Sequence, residues 1–181
     1  MARRFSTKTY GNDRGLSCTF RQHAATHSHC SLLHGYSLGF KFTFEAEMLD
    51  ERNWVQDFGG LADVKEFLEK TFDHTMVIAE DDPLLEQFQA MAGWSANPEL
   101  NGKPEDVQAH PVGGLGVVNL KVLPAVGCEA FAEYVYNWVA DWLSKEPGNT
   151  YKNMLGDEHQ RVKLYTVEVF EHAGNSAIYE G

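Results

Sequence analysis

The chain has 181 residues, of which 43% are hydrophobic and 12% aromatic, so it is long and apolar enough to bury a core of its own. Its 15 Lys and Arg against 26 Asp and Glu give a formal net charge of −11. That balance argues against sequence-independent nucleic-acid binding and against an anionic membrane surface, but it leaves room for an anionic small molecule. We find no stretch of the roughly 20 apolar residues that a membrane span needs, and no apolar segment of a secretory signal near the start.

Three cysteines, Cys18, Cys30 and Cys128, are too few and too scattered for a disulfide framework, a pattern that is typical of a reducing cytosol. We therefore expect a single cytoplasmic domain over residues 1–181. Two strands are predicted first, at 16–24 and 32–45. In the second, large apolar side chains fall mainly on the even positions, as a half-buried strand requires. Because a short His- and Cys-rich segment joins the two strands, we expect them to pair antiparallel.

Helical spacing of apolar residues predicts helices over 61–72 and 129–145. Between them we expect a short turn at 83–88, a long loop at 92–114 and a strand at 117–123. A last strand is predicted at 161–171. This order indicates an α+β fold with helices on one face of an antiparallel sheet.

Histidine clusters in one place, where His23, His27, His29 and His34 lie close together along the chain with Cys30 among them. Imidazole nitrogen and thiolate sulfur are ligands that zinc prefers, and a catalytic zinc site uses three protein ligands and one open position. The alternative is that His34 is a hydrogen-bonded core histidine and that the others are solvated loop residues. The number of converging side chains favours a metal site.

Three further positions carry side chains suited to catalysis. Cys30 is either a reactive thiolate favoured by the flanking histidines or a small core residue. The pair Asp73–His74 would suit proton transfer, although a histidine that stabilises a helix C-terminus is the commoner reason for such a pair. Glu171 ends a strand, where its carboxylate would hold a planar, guanidine-like ligand by two parallel hydrogen bonds or would simply face solvent.

Together these features resemble the 6-pyruvoyltetrahydropterin synthase / 6-carboxytetrahydropterin synthase family. The resemblance rests on the stretch from Cys30 to Tyr36, on Asp57–Phe58 before a helix, on Asp73–His74 after it, and on the final Glu171. It implies the tunnelling fold, in which a four-stranded antiparallel sheet carries two helices packed on one face. Residues of about 80–120 would form a long insertion between the first helix and the second. The resemblance also implies homo-oligomers, commonly a dimer of trimers, with active sites between subunits.

The same resemblance implies 7,8-dihydroneopterin triphosphate as the substrate and a bound Zn²⁺. It assigns proton transfer to Cys30, Asp73 and His74, and anchoring of the pterin to Glu171. One family histidine is replaced here by Tyr36. We therefore expect the metal site to be either weakened or rebuilt from the three residues His23, His29 and His34, with His27 or His172 as substitutes.

The short spacing from Cys30 to His34 resembles the branch of the family that forms 6-carboxytetrahydropterin for 7-deazaguanine and queuosine synthesis. Our first expectation is therefore a zinc-dependent lyase of that kind. Two alternatives stay open: a 6-pyruvoyltetrahydropterin synthase that makes the precursor of tetrahydrobiopterin, or a non-catalytic metal- or pterin-binding subunit of the same fold. Arg21 and Lys41 are candidate cations for the triphosphate.

Overall fold

The computed structural model describes residues 2–92, 118–152 and 155–181. Three α-helices lie in this described part: α1 Ala62–Phe72, α2 Leu85–Ala92 and α3 Cys128–Lys145. The same part contains nine strands: β1 Arg4–Tyr10, β2 Leu16–Phe20, β3 His34–Ala46, β4 Thr75–Ala79, β5 Leu120–Leu123, β6 Thr150–Lys152, β7 Glu158–Gln160, β8 Val162–His172 and β9 Asn175–Glu180. None of the described helices combines the length and apolar character that crossing a bilayer would need.

The chain divides into two compact units. The first unit comprises Met1–Arg14, Gly39–Phe67 and Cys128–Gly181, and the second comprises Gly15–Leu38 and Leu68–Gly127. Strand β3 and helix α1 therefore contribute residues to both. The predicted loop at 92–114 falls almost wholly outside the described residues. Of the predicted insertion at 80–120, the described part holds α2 and the start of β5.

The first unit is an antiparallel arrangement of strands covered by a helix. The later part of β3 pairs with β1 on one side and with β8 on the other, and β8 pairs with β9. Phe40, Phe42 and Phe44 of β3 are completely buried, as their even spacing predicts. Helix α3 packs against β8 and β9, and its Trp138 stacks on Phe67 of α1 with ring centroids 3.9 Å apart.

The second unit contains a mixed set of strands. The start of β3 pairs antiparallel with β2, which confirms the predicted hairpin-like pair. However, β2 pairs parallel with β4, and β4 pairs parallel with β5. The expected four-stranded, purely antiparallel sheet with two helices is therefore wrong in detail, since the described residues hold a mixed sheet and three helices. Parallel neighbours need long crossover connections, and here those connections contain α1 and α2.

Asn149 joins the end of α3 to the start of β8 and is itself buried. Its side-chain nitrogen Nδ2 donates to the carbonyl oxygens of Leu143 at 2.8 Å and Val162 at 3.0 Å. Its side-chain oxygen Oδ1 accepts from the backbone amide of Val162 at 2.8 Å. We expect Asn149→Ala to lower the free energy of unfolding by about 2 kcal/mol, because it leaves buried backbone groups without partners. Urea denaturation measures this, with the partly exposed Glu146→Ala as the control. Equal stability of the two variants would contradict the bridging role.

Candidate active site

Residues 21–33, which we call the His/Cys loop, connect β2 to β3. Ser28 caps a 3₁₀ turn at His29–Ser31, and its hydroxyl accepts a hydrogen bond from the Cys30 amide at 3.0 Å. The backbone amide of Gln22 donates to the Cys30 carbonyl oxygen at 2.8 Å and so closes the loop. Cys30 is held on a defined turn with its side chain partly exposed. That placement suits a thiol that must meet a ligand.

A buried ion pair fastens this loop to the segment before α2. The Arg21 guanidinium donates to both carboxylate oxygens of Asp82, at 2.8 and 2.9 Å, and the Asp82 side chain is only 1% exposed. Arg21 also reaches the carbonyl oxygen of Ser31, next to Cys30, at 3.4 Å. Burial alone would raise the pKa of Asp82, but hydrogen bonds from Arg21 and from the Leu84 amide outweigh it and lower that pKa. The same hydrogen bond to Asp82 raises the pKa of Arg21.

These contacts engage the Arg21 guanidinium with Asp82 and Ser31, and its role as a cation for the triphosphate stays a prediction. Lys41 forms an ion pair with Glu168 at 3.4 Å and remains partly exposed. Sequence reasoning missed Asp82 altogether. The signal that could have found it is Asp-Asp-Pro ahead of a helix, where an aspartate often accepts hydrogen bonds from the first turn. Asp82 does accept one from the Leu84 amide at 2.8 Å.

His34 lies at the first position of β3 with both ring nitrogens engaged. Its Nδ1 donates to the carbonyl oxygen of Leu32 at 2.8 Å, and its Nε2 forms a short hydrogen bond with the Tyr36 hydroxyl. The Tyr36 ring stacks on Phe20 of β2, with centroids 4.2 Å apart and an interplanar angle of 16°. This arrangement matches the hydrogen-bonded histidine that stood as the alternative to a metal ligand.

In the part of the chain that the structure describes, the other histidines do not complete a zinc site. The rings of His29 and His34 have centroids 5.8 Å apart, and His23 faces Asp82 at 3.9 Å. His172 is engaged in the β8–β9 turn, where it accepts from the Gly174 amide at 3.0 Å. Within residues 2–92, 118–152 and 155–181, no three histidine, cysteine or acidic side chains converge on a point where they could hold an ion. As arranged here, His23, His29 and His34 do not fit a three-ligand zinc site.

The Asp73–His74 pair lies between α1 and β4. The Asp73 carboxylate contacts Nδ1 of His74 at 2.8 Å and accepts from the Ser17 amide at 3.4 Å. His74 has a left-handed backbone, with φ of 51°, and its side chain is 86% exposed. Left-handed residues other than glycine are costly and concentrate at functional sites. The carboxylate thus orients an imidazole that projects into solvent.

Within one chain, Cys30 and the Asp73–His74 pair stand at opposite ends of β2. Asp73 bonds Ser17 near the start of that strand, whereas the His/Cys loop follows Phe20 at its other end. At roughly 3.3 Å per residue, the stretch of strand from Ser17 to Phe20 spans about 10 Å. The structure therefore does not bring the predicted proton-transfer residues together in a single chain. It records no hydrogen bond between them in the part of the chain that it describes.

Glu171 belongs to the first unit, near the end of β8, and is half-buried. The negative charge of its carboxylate interacts electrostatically with the Cys128 thiol at the start of α3. Burial, together with the carboxylates of Glu171 and Glu129, raises the pKa of Cys128 to about 12. Cys128 is therefore a neutral thiol at pH 7 and not a nucleophile. Sequence reasoning missed this neighbour of Glu171, because nothing in the local pattern links a helix start to a distant strand end.

Comparison with known proteins gives a single family. A family model described as 6-pyruvoyl tetrahydropterin synthase matches residues 13–181. No curated protein sequence matches the chain. A solved structure of an uncharacterized protein, WS1659 from Wolinella succinogenes, is similar at 20% identity and a TM-score of 0.66, covering 99% of this chain and 98% of that one. The 6-pyruvoyl tetrahydropterin synthase of Plasmodium falciparum is similar at 13% identity and a TM-score of 0.59, covering 100% and 99%. That of Caenorhabditis elegans has 15% identity and a TM-score of 0.51, covering 99% and 95%.

Proposed function

Because the chain belongs to the 6-pyruvoyl tetrahydropterin synthase family, we propose that it is a lyase that converts 7,8-dihydroneopterin triphosphate to 6-carboxytetrahydropterin. Pterin-synthase-type lyase activity follows from the family as a whole. The finer assignment is supported by the short spacing between Cys30 and His34. The observation that carries the catalytic proposal is the exposed, carboxylate-oriented imidazole of His74 together with a thiol on a fixed turn.

Cys30 is the proposed base. Its backbone is fixed on both sides by the hydrogen bonds of the 3₁₀ turn, so the sulfur has a defined direction while staying partly exposed. A positioned base that removes a proton from carbon contributes about 10²–10⁴ to a rate. Elimination of triphosphate and rearrangement within the side chain of the pterin would follow that proton abstraction.

The Asp73–His74 pair is the proposed partner that returns protons. A carboxylate at 2.8 Å from Nδ1 fixes the orientation and tautomer of the imidazole, which leaves Nε2 to exchange a proton with a bound molecule. The His74 side chain is exposed at the start of β2, away from the His/Cys loop of the same chain. The group that completes its site must therefore come from another molecule. A site shared by two copies of the chain satisfies this requirement.

We propose on this basis a homo-oligomer, a trimer or hexamer, in which Cys30 of one copy meets Asp73–His74 of another. The separation of about 10 Å along β2 supports the proposal, because no rotamer change closes such a gap within one chain. The first unit also exposes the aromatic rings of Phe5, Trp54 and Phe58, which suit burial against a further subunit.

Glu171 is the proposed anchor of the pterin's amino-pyrimidine edge, which presents two parallel donors to a carboxylate. We expect Glu171→Gln to raise KM about tenfold with a smaller change in kcat, because the amide can accept only one of the two hydrogen bonds. Steady-state kinetics measure this, with the neighbouring Glu168→Gln as a control. A kcat that falls while KM stays constant would contradict an anchoring role.

Zn²⁺ is the cofactor that the resemblance implies, but His23, His29 and His34, the ligands expected from the sequence, do not fit it as arranged here. A divalent cation stabilises negative charge that develops as a proton leaves carbon. Since those three side chains do not form a ligand cluster in the described residues, no step of the proposal is assigned to the ion.

The decisive experiment incubates the purified protein with 7,8-dihydroneopterin triphosphate and identifies the product by mass spectrometry. A one-carbon carboxyl group on the pterin supports the proposal, whereas a three-carbon pyruvoyl group assigns the chain to the alternative synthase. Tight pterin binding without turnover would favour a non-catalytic subunit. The engagement of His34 by Tyr36 is the observation that keeps this last candidate in view.

A further inference from the structure

We propose that Tyr36 closes the histidine site to zinc: its phenol occupies the nitrogen of His34 that a metal would need, so the chain holds no zinc through His34. The inference concerns metal binding alone and does not depend on turnover of any pterin. It makes Tyr36 the residue that decides whether this position is a metal centre or a hydrogen-bonded pair.

Both ring nitrogens of His34 form hydrogen bonds. Nδ1 faces the carbonyl oxygen of Leu32 at 2.8 Å, and because a carbonyl can only accept, Nδ1 carries a proton. The lone pair of a neutral imidazole is then on Nε2, which bonds the Tyr36 hydroxyl. Whichever of these two atoms holds the shared proton, no lone pair of His34 is left for a cation.

Strand pairing and ring stacking hold the phenol of Tyr36 in place. Tyr36 is paired with Cys18 across the β2–β3 ladder, and its ring lies flat on Phe20 of the same strand. A stacked ring on a paired strand has little freedom to swing away from His34. Metal binding through His34 would have to break both the short hydrogen bond and this packing.

Among the described residues, the surroundings of His34 supply no substitute set of ligands. Replacement of a ligand is often compensated by a neighbour, but His29 lies 5.8 Å from His34 between ring centroids and His23 faces the Asp82 carboxylate. In the described residues these side chains do not converge on one point with His34. His34 and Tyr36 therefore form a hydrogen-bonded pair at the position where the family has two metal-binding histidines.

The test uses the full-length protein, stripped with a chelator and titrated with ZnCl₂ in competition with a chromogenic chelator. We expect His34→Ala to leave the zinc affinity of the parent unchanged, and Tyr36→His to raise that affinity at least about tenfold. In the Tyr36→His background, His34→Ala should abolish the gain.

Tyr36→Phe is a second variant in case Tyr36→His fails to fold, since it keeps the ring on Phe20 and removes only the hydroxyl. It should make zinc affinity sensitive to His34→Ala, which the parent is not. Stoichiometric zinc on the parent that is lost in His34→Ala would overturn the proposal. So would folded Tyr36→His and Tyr36→Phe proteins that bind zinc no better than the parent. Zinc bound by the parent but unaffected by His34→Ala supports it, because the ion then lies elsewhere.

Discussion

Replacing Cys30 by serine is expected to lower kcat on 7,8-dihydroneopterin triphosphate by about a thousandfold, because the hydroxyl is a far weaker base than a thiolate. The turn that carries residue 30 is held by backbone and Ser28 contacts that serine preserves, so the fold should not change. Cys18→Ala, at a buried cysteine of β2, is the matched control and should keep most of the activity. Parent-like turnover by Cys30→Ser would show that another group is the base.

The same variant tests whether the site is shared between copies of the chain. His74→Ala should be as inactive as Cys30→Ser, since each removes one half of the proton-transfer group. If the two variants are denatured together and refolded, random assembly should restore about a quarter of the parent activity, because some sites then combine one intact half from each chain. Recovery would support the shared site. A mixture as inactive as its components would show that both halves act within one chain.

Replacing Asp82 by alanine is expected to lower the free energy of unfolding by about 3–5 kcal/mol, because it leaves the Arg21 guanidinium without its bidentate partner in a largely buried place. Urea denaturation at pH 7 measures the change. Asp81→Ala, at the exposed neighbouring position, is the control and should stay within about 0.5 kcal/mol of the parent. Equal stability of the two variants would mean that the ion pair contributes nothing.

The pH dependence of this difference has a definite sign. The pKa of Asp82 is lower in the folded chain, so the folded state favours its charged form. Its contribution is therefore fully present above the unfolded value near 3.9 and is lost as the pH falls through the lower folded pKa. We expect the gap between the parent and Asp82→Asn to shrink as the pH falls below about 4. A gap that is unchanged at pH 3 would contradict the assignment.

Asp82→Ala should also loosen the His/Cys loop, since Arg21 bonds both Asp82 and the Ser31 carbonyl oxygen beside Cys30. Alkylation of Cys30 by iodoacetamide under native conditions should then become faster, a change that a purely global destabilisation would spread over all three cysteines. Mapping the label by mass spectrometry separates these outcomes. Selective labelling of Cys30 supports a positioning role for the ion pair.

Much of the local structure was predictable because it depends on short-range periodicity. Helix α1 begins within a residue of the prediction, since Val64, Leu68 and Phe72 fall on one face and are buried. Helix α3 and strands β3 and β8 follow for the same reason. Strands β1, β4, β6, β7 and β9 were missed, and helix α2 forms where only a short turn was expected. β4, for example, is a five-residue apolar run without alternation directly after a helix, and such a run acquires its identity from its partners on both sides.

The sequence by itself determined the family and the types of side chain, since both follow from which residues occur and in what order. Only the tertiary structure decided how those side chains meet. It paired Arg21 with Asp82, whereas the sequence had suggested Arg21 only as a cation for the triphosphate. It placed Cys30 and His74 at opposite ends of β2 and joined His34 to Tyr36. The physical reason is range: helix and strand periodicity act over a few residues, whereas ion pairs and ladder registers join positions far apart in the chain.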